Sequence, residues 1–149
     1  MSSPKPDIPV PITFFIDRCL GSKRVVTALR QAELTIEIHK DHFAPDAPDV
    51  DWLPVVGELG WVVLTKDANI ARRVLEKIAV TRAGVRLFAL TSQGLSSDEM
   101  ITIFTQAIVP MQKLIRKHPA PFIAKIHREG RVEMWRDREA LLEELNHLG

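Results

Sequence analysis

Two apolar runs in this chain stop at a carboxylate: Phe14-Phe15-Ile16-Asp17-Arg18 and Trp61-Val62-Val63-Leu64-Thr65-Lys66-Asp67. If both are parallel strands of one sheet, Asp17 and Asp67 emerge side by side at its carboxyl edge, where open α/β sheets hold their ligands. The segment Asp46-Ala47-Pro48-Asp49-Val50-Asp51 supplies further acids between them. Carboxylates gathered at one edge repel and raise one another's pKa unless a cation joins them. Magnesium or manganese resolves that conflict, because these hard ions take oxygen ligands, keep waters and bind phosphate oxygens at the same time. A pair of such ions roughly 4 Å apart orients water and stabilises the leaving oxygen of a phosphodiester. Helix capping explains one strand-terminal aspartate as well as ligation does, but explains the set less well.

Cations flank these acids. Arg18 adjoins Asp17 and Lys66 adjoins Asp67, so both are placed to neutralise phosphate, a contact that positions a nucleic acid without reading its sequence. Arg72 and Arg73 read more simply as solvated helix surface. His39 and His42 have no second His or Cys pair to complete a zinc site and read as surface or turn histidines. The tryptophans read as packing anchors, since none lies in a repeated basic and aromatic pattern. There is no GxGxxG or GxxxxGK[ST] loop, and Ser92, Ser96 and Ser97 lack a nucleophile-elbow setting.

The elements that must position the acids follow from periodicity. Ile12 to Ile16 is a strand covered on both faces, and Gly21-Ser22 opens a helix carrying Val25, Val26, Ala28, Leu29 and Ala32. Leu34 to His39 alternates, predicting a strand near the sheet edge. After a loop over 40–48, a helix begins at Pro48 or Asp49, with Pro54 compatible only with its first turn. Gly57 and Gly60 mark its end, and the strand from Trp61 follows. Ile70, Val74, Leu75 and Ile78 predict the next helix, and Val85 to Leu90 another buried strand. Ser96 and Glu99 form a capping box ahead of the longest helix, which Pro110 should kink. Phe122 to His127 and Arg131 to Arg136 predict a hairpin turning at Glu129-Gly130, and Asp137 caps a terminal helix. Strands alternating with helices predict a mainly parallel sheet in a three-layer α/β/α fold with a C-terminal β-hairpin and helix.

At 149 residues, with 46% apolar and 26% charged residues, the chain has the composition of one ordinary globular domain, expected over 12–149 behind a proline-rich, flexible arm over 1–11. A net charge of +1 gives no broad basic field, so any nucleic-acid contact must come from local clusters. The single cysteine, Cys19, rules out an internal disulfide framework and reads as a small buried hydrophobe. No apolar run approaches the ~20 residues that span a bilayer, and prolines 4, 6, 9 and 11 break up any signal segment, so no membrane partner and a cytoplasmic location are expected.

The pattern Phe15-Ile16-Asp17-Arg18, Asp49-Val50-Asp51-Trp52-Leu53 and Gly60-Trp61-Val62-Val63-Leu64-Thr65-Lys66-Asp67-Ala68-Asn69-Ile70 resembles the PIN-like nuclease domains, especially the VapC-type toxin branch. The resemblance covers residues 12 to 91, and Thr-x-Asp after a strand is its most specific part. It implies a metal-dependent endoribonuclease using Mg2+ or Mn2+, acting on RNA, often a toxin held by a cognate antitoxin, and often a homodimer. Asp17 then corresponds to the first-strand metal ligand and Asp67 to the ligand after Thr65-Lys66. Asp49 is the best match for the intervening acid, Asp51 the second and Asp46 the third. Thr65 would bond an acid or a substrate water, beside Arg18 and Lys66 as substrate-binding groups. The chain departs from the family in having no clear middle glutamate or fourth acid. That departure leaves room for a catalytically weak PIN-like module that binds RNA or protein. A receiver-like signalling domain fits less well, because Arg18 follows Asp17 where that fold presents adjacent acids.

Overall fold

A computed structural model describes residues 12–20, 22–66 and 74–148. The expected N-terminal arm, Asp67, Arg72 and Arg73 lie outside the described residues, as does the side chain of Cys19.

The apolar runs form the strands β1 (Thr13–Ile16), β3 (Val62–Thr65), β4 (Arg86–Leu90) and β5 (Phe122–Ile126), joined by β2 (Thr35–Ile38) and β6 (Val132–Arg136). They build a six-stranded sheet of order β2-β1-β3-β4-β5-β6. All neighbours are parallel except β5 and β6. The alternating strand β2 is the edge its pattern predicts. Consecutive side chains on a strand point to opposite faces, so each buried strand feeds two cores. Phe14, Ile16, Val62, Leu64 and Phe88 pack with α1 (Lys23–Gln31) and α4 (Ser97–Lys117). Phe15, Val63, Leu87 and Ile123 pack with α2 (Asp49–Leu59), α3 (Val74–Ala83) and α5 (Arg138–Leu148). This is the three-layer α/β/α arrangement the periodicity predicts.

Local signals set the helix ends. The Ser22 hydroxyl accepts from the Val25 amide at 3.5 Å. At Ser96 the capping box is complete: Glu99 N donates to Ser96 Oγ at 3.1 Å, and Ser96 N to Glu99 Oε1 at 2.9 Å. The Asp137 carboxylate accepts from Ala140 N at 2.9 Å ahead of α5. One proline expectation needs correction. Pro54 lies in the interior of α2 rather than its first turn. The carbonyl that loses its donor there belongs to Val50, which is 58% exposed, so the missing bond falls on the solvent side. The helix α4 runs as one element through Pro110. No described helix is long and apolar enough to cross a membrane.

The crossing of α2 and α3 depends on Gly57. A Cβ there would overlap the Ala83 carbonyl, so the absent side chain lets α3 lie directly on α2. The left-handed Gly60, φ 74°, then ends α2 and turns the chain into β3.

Candidate active site

The register of the sheet aligns the chemistry. Ile16 pairs with Ile38 on one side and Leu64 on the other, so the next residues, Asp17, His39 and Thr65, stand at equivalent positions on adjacent strand ends. Alternation turns all of them toward the face covered by α2. The Asp17 amide extends the ladder by donating to the Leu64 carbonyl at 3.0 Å. The Asp17 carboxylate is buried, at 6% exposure. Its Oδ2 accepts from Thr65 Oγ1 at 2.9 Å and its Oδ1 from the Arg18 amide at 2.7 Å. Thr65 is itself fully buried. Asp17 is therefore held in one orientation by a rigid strand and a rigid donor.

Asp49 enters from the other side, as the first residue of α2. Trp52, one turn on and fully buried, donates its indole N–H to Asp49 Oδ1 at 3.1 Å. Burial raises the pKa of Asp49, and the charge of Asp17 raises it further. Glu76 of α3 adds in the same sense, while the Trp52 hydrogen bond and the Arg18 charge oppose. Asp17 and Asp49 thus share one electrostatic site. Asp51 and Asp46 are exposed, and neither enters the charge balance of Asp49.

Arg18 has a different observed partner from the one its position suggests. Its Nη1 donates to the carbonyls of Pro45 at 2.6 Å and Ala47 at 3.0 Å, tying the loop before α2 to the end of β1. That tie sets where Asp49 stands relative to Asp17. Lys66 is half-buried, and its carbonyl accepts from the Gln93 amide at 3.3 Å.

A family profile described as PIN like domain matches residues 12–92. The chain belongs to the PIN-like domain family. The Mycobacterium tuberculosis (strain ATCC 25618 / H37Rv) protein named "Putative ribonuclease VapC45" is 29% identical to it over 117 residues, covering 76% of this chain and 84% of that protein. No solved structure matches it. The PIN-like match takes in β1 to β4, and with them Asp17, Asp49, Thr65 and Asp67.

The donors of this PIN-like site suit a hard divalent ion. Asp17 and Asp49 carry carboxylate oxygens whose mutual repulsion a cation would relieve. Among the described residues, no three His, Cys, Asp or Glu side chains come together as a metal cluster. Asp67, the third ligand expected from the sequence, lies outside those residues.

Sequence reasoning missed two members of this neighbourhood. Glu76 lies on the described start of α3, where helical spacing does not set it apart from Lys77; only the close α2 and α3 packing brings its charge to bear on Asp49. His39, expected at a surface or turn, is 1% exposed among the rings of Phe15, Phe43 and Trp52, with centroids 6.1, 5.6 and 5.8 Å away. Its ring nitrogens have no hydrogen-bond partner among the described residues. Burial lowers its pKa and outweighs the nearby Asp17 charge, which raises it, so the ring is favoured neutral. The alternation of β2 carried the signal: continued one step past Ile38, it points His39 inward.

Proposed function

We propose that this chain is a divalent-metal-dependent endoribonuclease of the PIN-like type and the toxin of a toxin-antitoxin pair. The observation that carries the reading is the joint site of Asp17 and Asp49, where one buried carboxylate raises the pKa of another. Asp17 and Asp49, with Asp67 as the further expected ligand, would hold Mg2+ or Mn2+. When bound, the ion supplies charge stabilisation at a phosphodiester and lowers the pKa of water.

The protein's own groups act by positioning. Thr65 holds Asp17 Oδ2, the Arg18 amide holds Oδ1, and Trp52 holds Asp49 Oδ1. The Arg18 guanidinium fastens the loop over residues 45–47, so both acids are set before substrate arrives. Lys66 is a substrate-phosphate contact in this reading, and Asp51 is an exposed neighbour of the site. The similarity to the mycobacterial protein named as a putative ribonuclease supports RNA as the substrate, and the antitoxin partner follows from the resemblance to the VapC-type branch.

The decisive experiment incubates purified protein with single-stranded oligoribonucleotides and Mn2+. Cleavage by wild type, abolished by EDTA and by Asp17→Asn, is the expected result. Salt-sensitive RNA binding with no cleavage under any divalent ion would instead assign the chain as a binding module. Expression of wild type should halt growth, and Asp17→Asn should not.

A further inference from the structure

Away from the acids, β6 carries an arrangement that the site does not use. The β5 to β6 ladder pairs Ala124 with Met134 and Ile123 with Arg136, so Trp135 is the extra residue of a bulge. Bulges re-aim side chains at sheet edges. Here the Arg136 guanidinium lies 4.2 Å from the centroid of its neighbour's indole ring. Lys125 of β5 and Lys77 of α3 approach the same ring, with ammonium groups at 5.3 and 5.6 Å. One carboxylate serves this group: Glu144 accepts from Lys77 at 2.8 Å and from Arg136 at 3.1 Å. Lys125 has no carboxylate at ion-pair distance among the described residues. Glu133, its partner across the ladder, is engaged by His127 at 2.8 Å and lies 4.0 Å from Arg131.

The place of Lys125 in the sheet matters as much as its charge. Thr65 pairs with Ala89, and Ala89 pairs with Lys125. Lys125 therefore stands in the same row as Asp17, on the same face, separated from it by Thr65 and Ala89. At the usual strand spacing the row places the two strand positions roughly 14 Å apart. Thr65 and Ala89 are buried, so the row itself is covered; a single strand with its scissile phosphate at Asp17 that passes outside the sheet edge reaches Lys125 a few nucleotides away. A cation held over an aromatic ring, in a group with more cations than acids, suits a phosphate there, because the ring fixes the ammonium without neutralising it.

We propose that Lys125, held on Trp135 beside Lys77 and Arg136, is a second phosphate-binding site for single-stranded RNA, reached by the part of the substrate that extends from the Asp17 site past the edge of the sheet. This inference rests on the ribonuclease reading for its substrate, but its own test is binding. Fluorescence anisotropy with a labelled, mixed-sequence, single-stranded oligoribonucleotide in EDTA measures affinity across a salt series. Lys125→Ala should weaken binding to all sequences alike and reduce the slope of log K against log salt by about 0.7, the value for one lost single-strand phosphate contact. Lys125→Arg should restore both. With Mn2+ and a substrate extended to both sides of the cut, Lys125→Ala should raise KM and leave kcat unchanged.

An unchanged salt slope in folded Lys125→Ala overturns the proposal, and so does a fall in kcat at unaltered affinity. Loss of a protein partner with RNA binding intact overturns it too. If wild type binds RNA but never cuts it, the nuclease reading fails, while a changed slope in Lys125→Ala still upholds the phosphate site. If wild type cuts RNA and Lys125→Ala binds as wild type does, only the second site fails.

Discussion

The Thr65 hydroxyl donates to Asp17 Oδ2 at 2.9 Å across the β1 to β3 boundary, and both groups are buried. A carboxylate taken from water needs its lone pairs satisfied, and losing one such bond costs about 1–3 kcal/mol. Thr65→Val keeps the shape and β-branching and removes only the donor. The variant should lose about 1–3 kcal/mol in denaturant unfolding and most of its RNA cleavage, with Thr65→Ser recovering both. Normal cleavage by Thr65→Val would show that the hydroxyl does not position Asp17 for the reaction.

The middle acid can be separated from its neighbour. Asp49 bonds Trp52 and feels Asp17, whereas Asp51, two residues on and so about 200° round the helix, is exposed. Asp49→Asn should lower kcat by about 100-fold or more, on the scale of removing one electrostatic group from an active site. Asp51→Asn should change it by a small factor. Assays with Mn2+ held in excess check the pair, and the reverse ranking would transfer the ligand role to Asp51.

Much of the fold is legible in the sequence, for physical reasons that differ by element. Phe14 to Ile16 and Val62 to Thr65 announce buried strands because both faces must be apolar, and the carboxylate of Asp17 marks where the first of them ends. Ser96 and Glu99 declare a helix start through bonds made within a single turn. What stayed hidden depends on contacts between segments distant in sequence. Nothing near Arg18 reveals that its guanidinium closes on the carbonyls of Pro45 and Ala47. Whether Asp49 or Asp51 feels the charge of Asp17 depends on the phase of α2, and it is Asp49 that does. Glu76 acts on Asp49 only because α3 packs against α2.

Gly57 is a direct test of how closely α2 and α3 pack. A methyl group at this position meets the backbone carbonyl of Ala83, which has no rotamer to yield, so α2 and α3 must separate. Gly57→Ala ordinarily helps an α-helix by up to about 1 kcal/mol. Here overpacking should dominate and destabilise the fold by about 1–3 kcal/mol. Thermal or urea unfolding measures the sign. A more stable Gly57→Ala would mean that the helices do not approach as closely as described.

The Glu144 pair gives stability an acid limb. Its pKa is lowered, chiefly by the Lys77 hydrogen bond and then by the charges of Lys77 and Arg136, with burial opposing. A depressed folded-state value contributes stability above the unfolded pKa and loses it as pH falls through the folded one. With an ordinary value near 4.5, the loss begins below that pH. Glu144 is 38% exposed, so solvent screening holds its contribution to about 0.5–1 kcal/mol. Wild type should exceed Glu144→Gln by that amount at pH 7 and by less at pH 3, and a constant gap in urea melts would mean that charge is not what joins α3, β6 and α5.

Asp49 should show the opposite sign. Its pKa is raised, first by burial and then by Asp17, so the folded state favours the protonated carboxyl. A raised folded-state value contributes stability that is fully present below the unfolded pKa and lost as pH rises through the folded one. At pH 7, without divalent ions, the ionised Asp49 therefore works against the fold. Asp49→Asn removes that charge and keeps an oxygen for the Trp52 indole. The variant should melt higher than wild type at pH 7 in EDTA and match it near pH 3. Adding Mn2+ should reverse the order at pH 7, because a ligand that binds only the folded state stabilises it by mass action and wild type binds the ion more tightly. A variant less stable at pH 7 in EDTA would mean that Asp49 is a structural cap. The gain in stability on losing the charge, together with the loss of the response to Mn2+, is the signature of a carboxylate held in place for a cation.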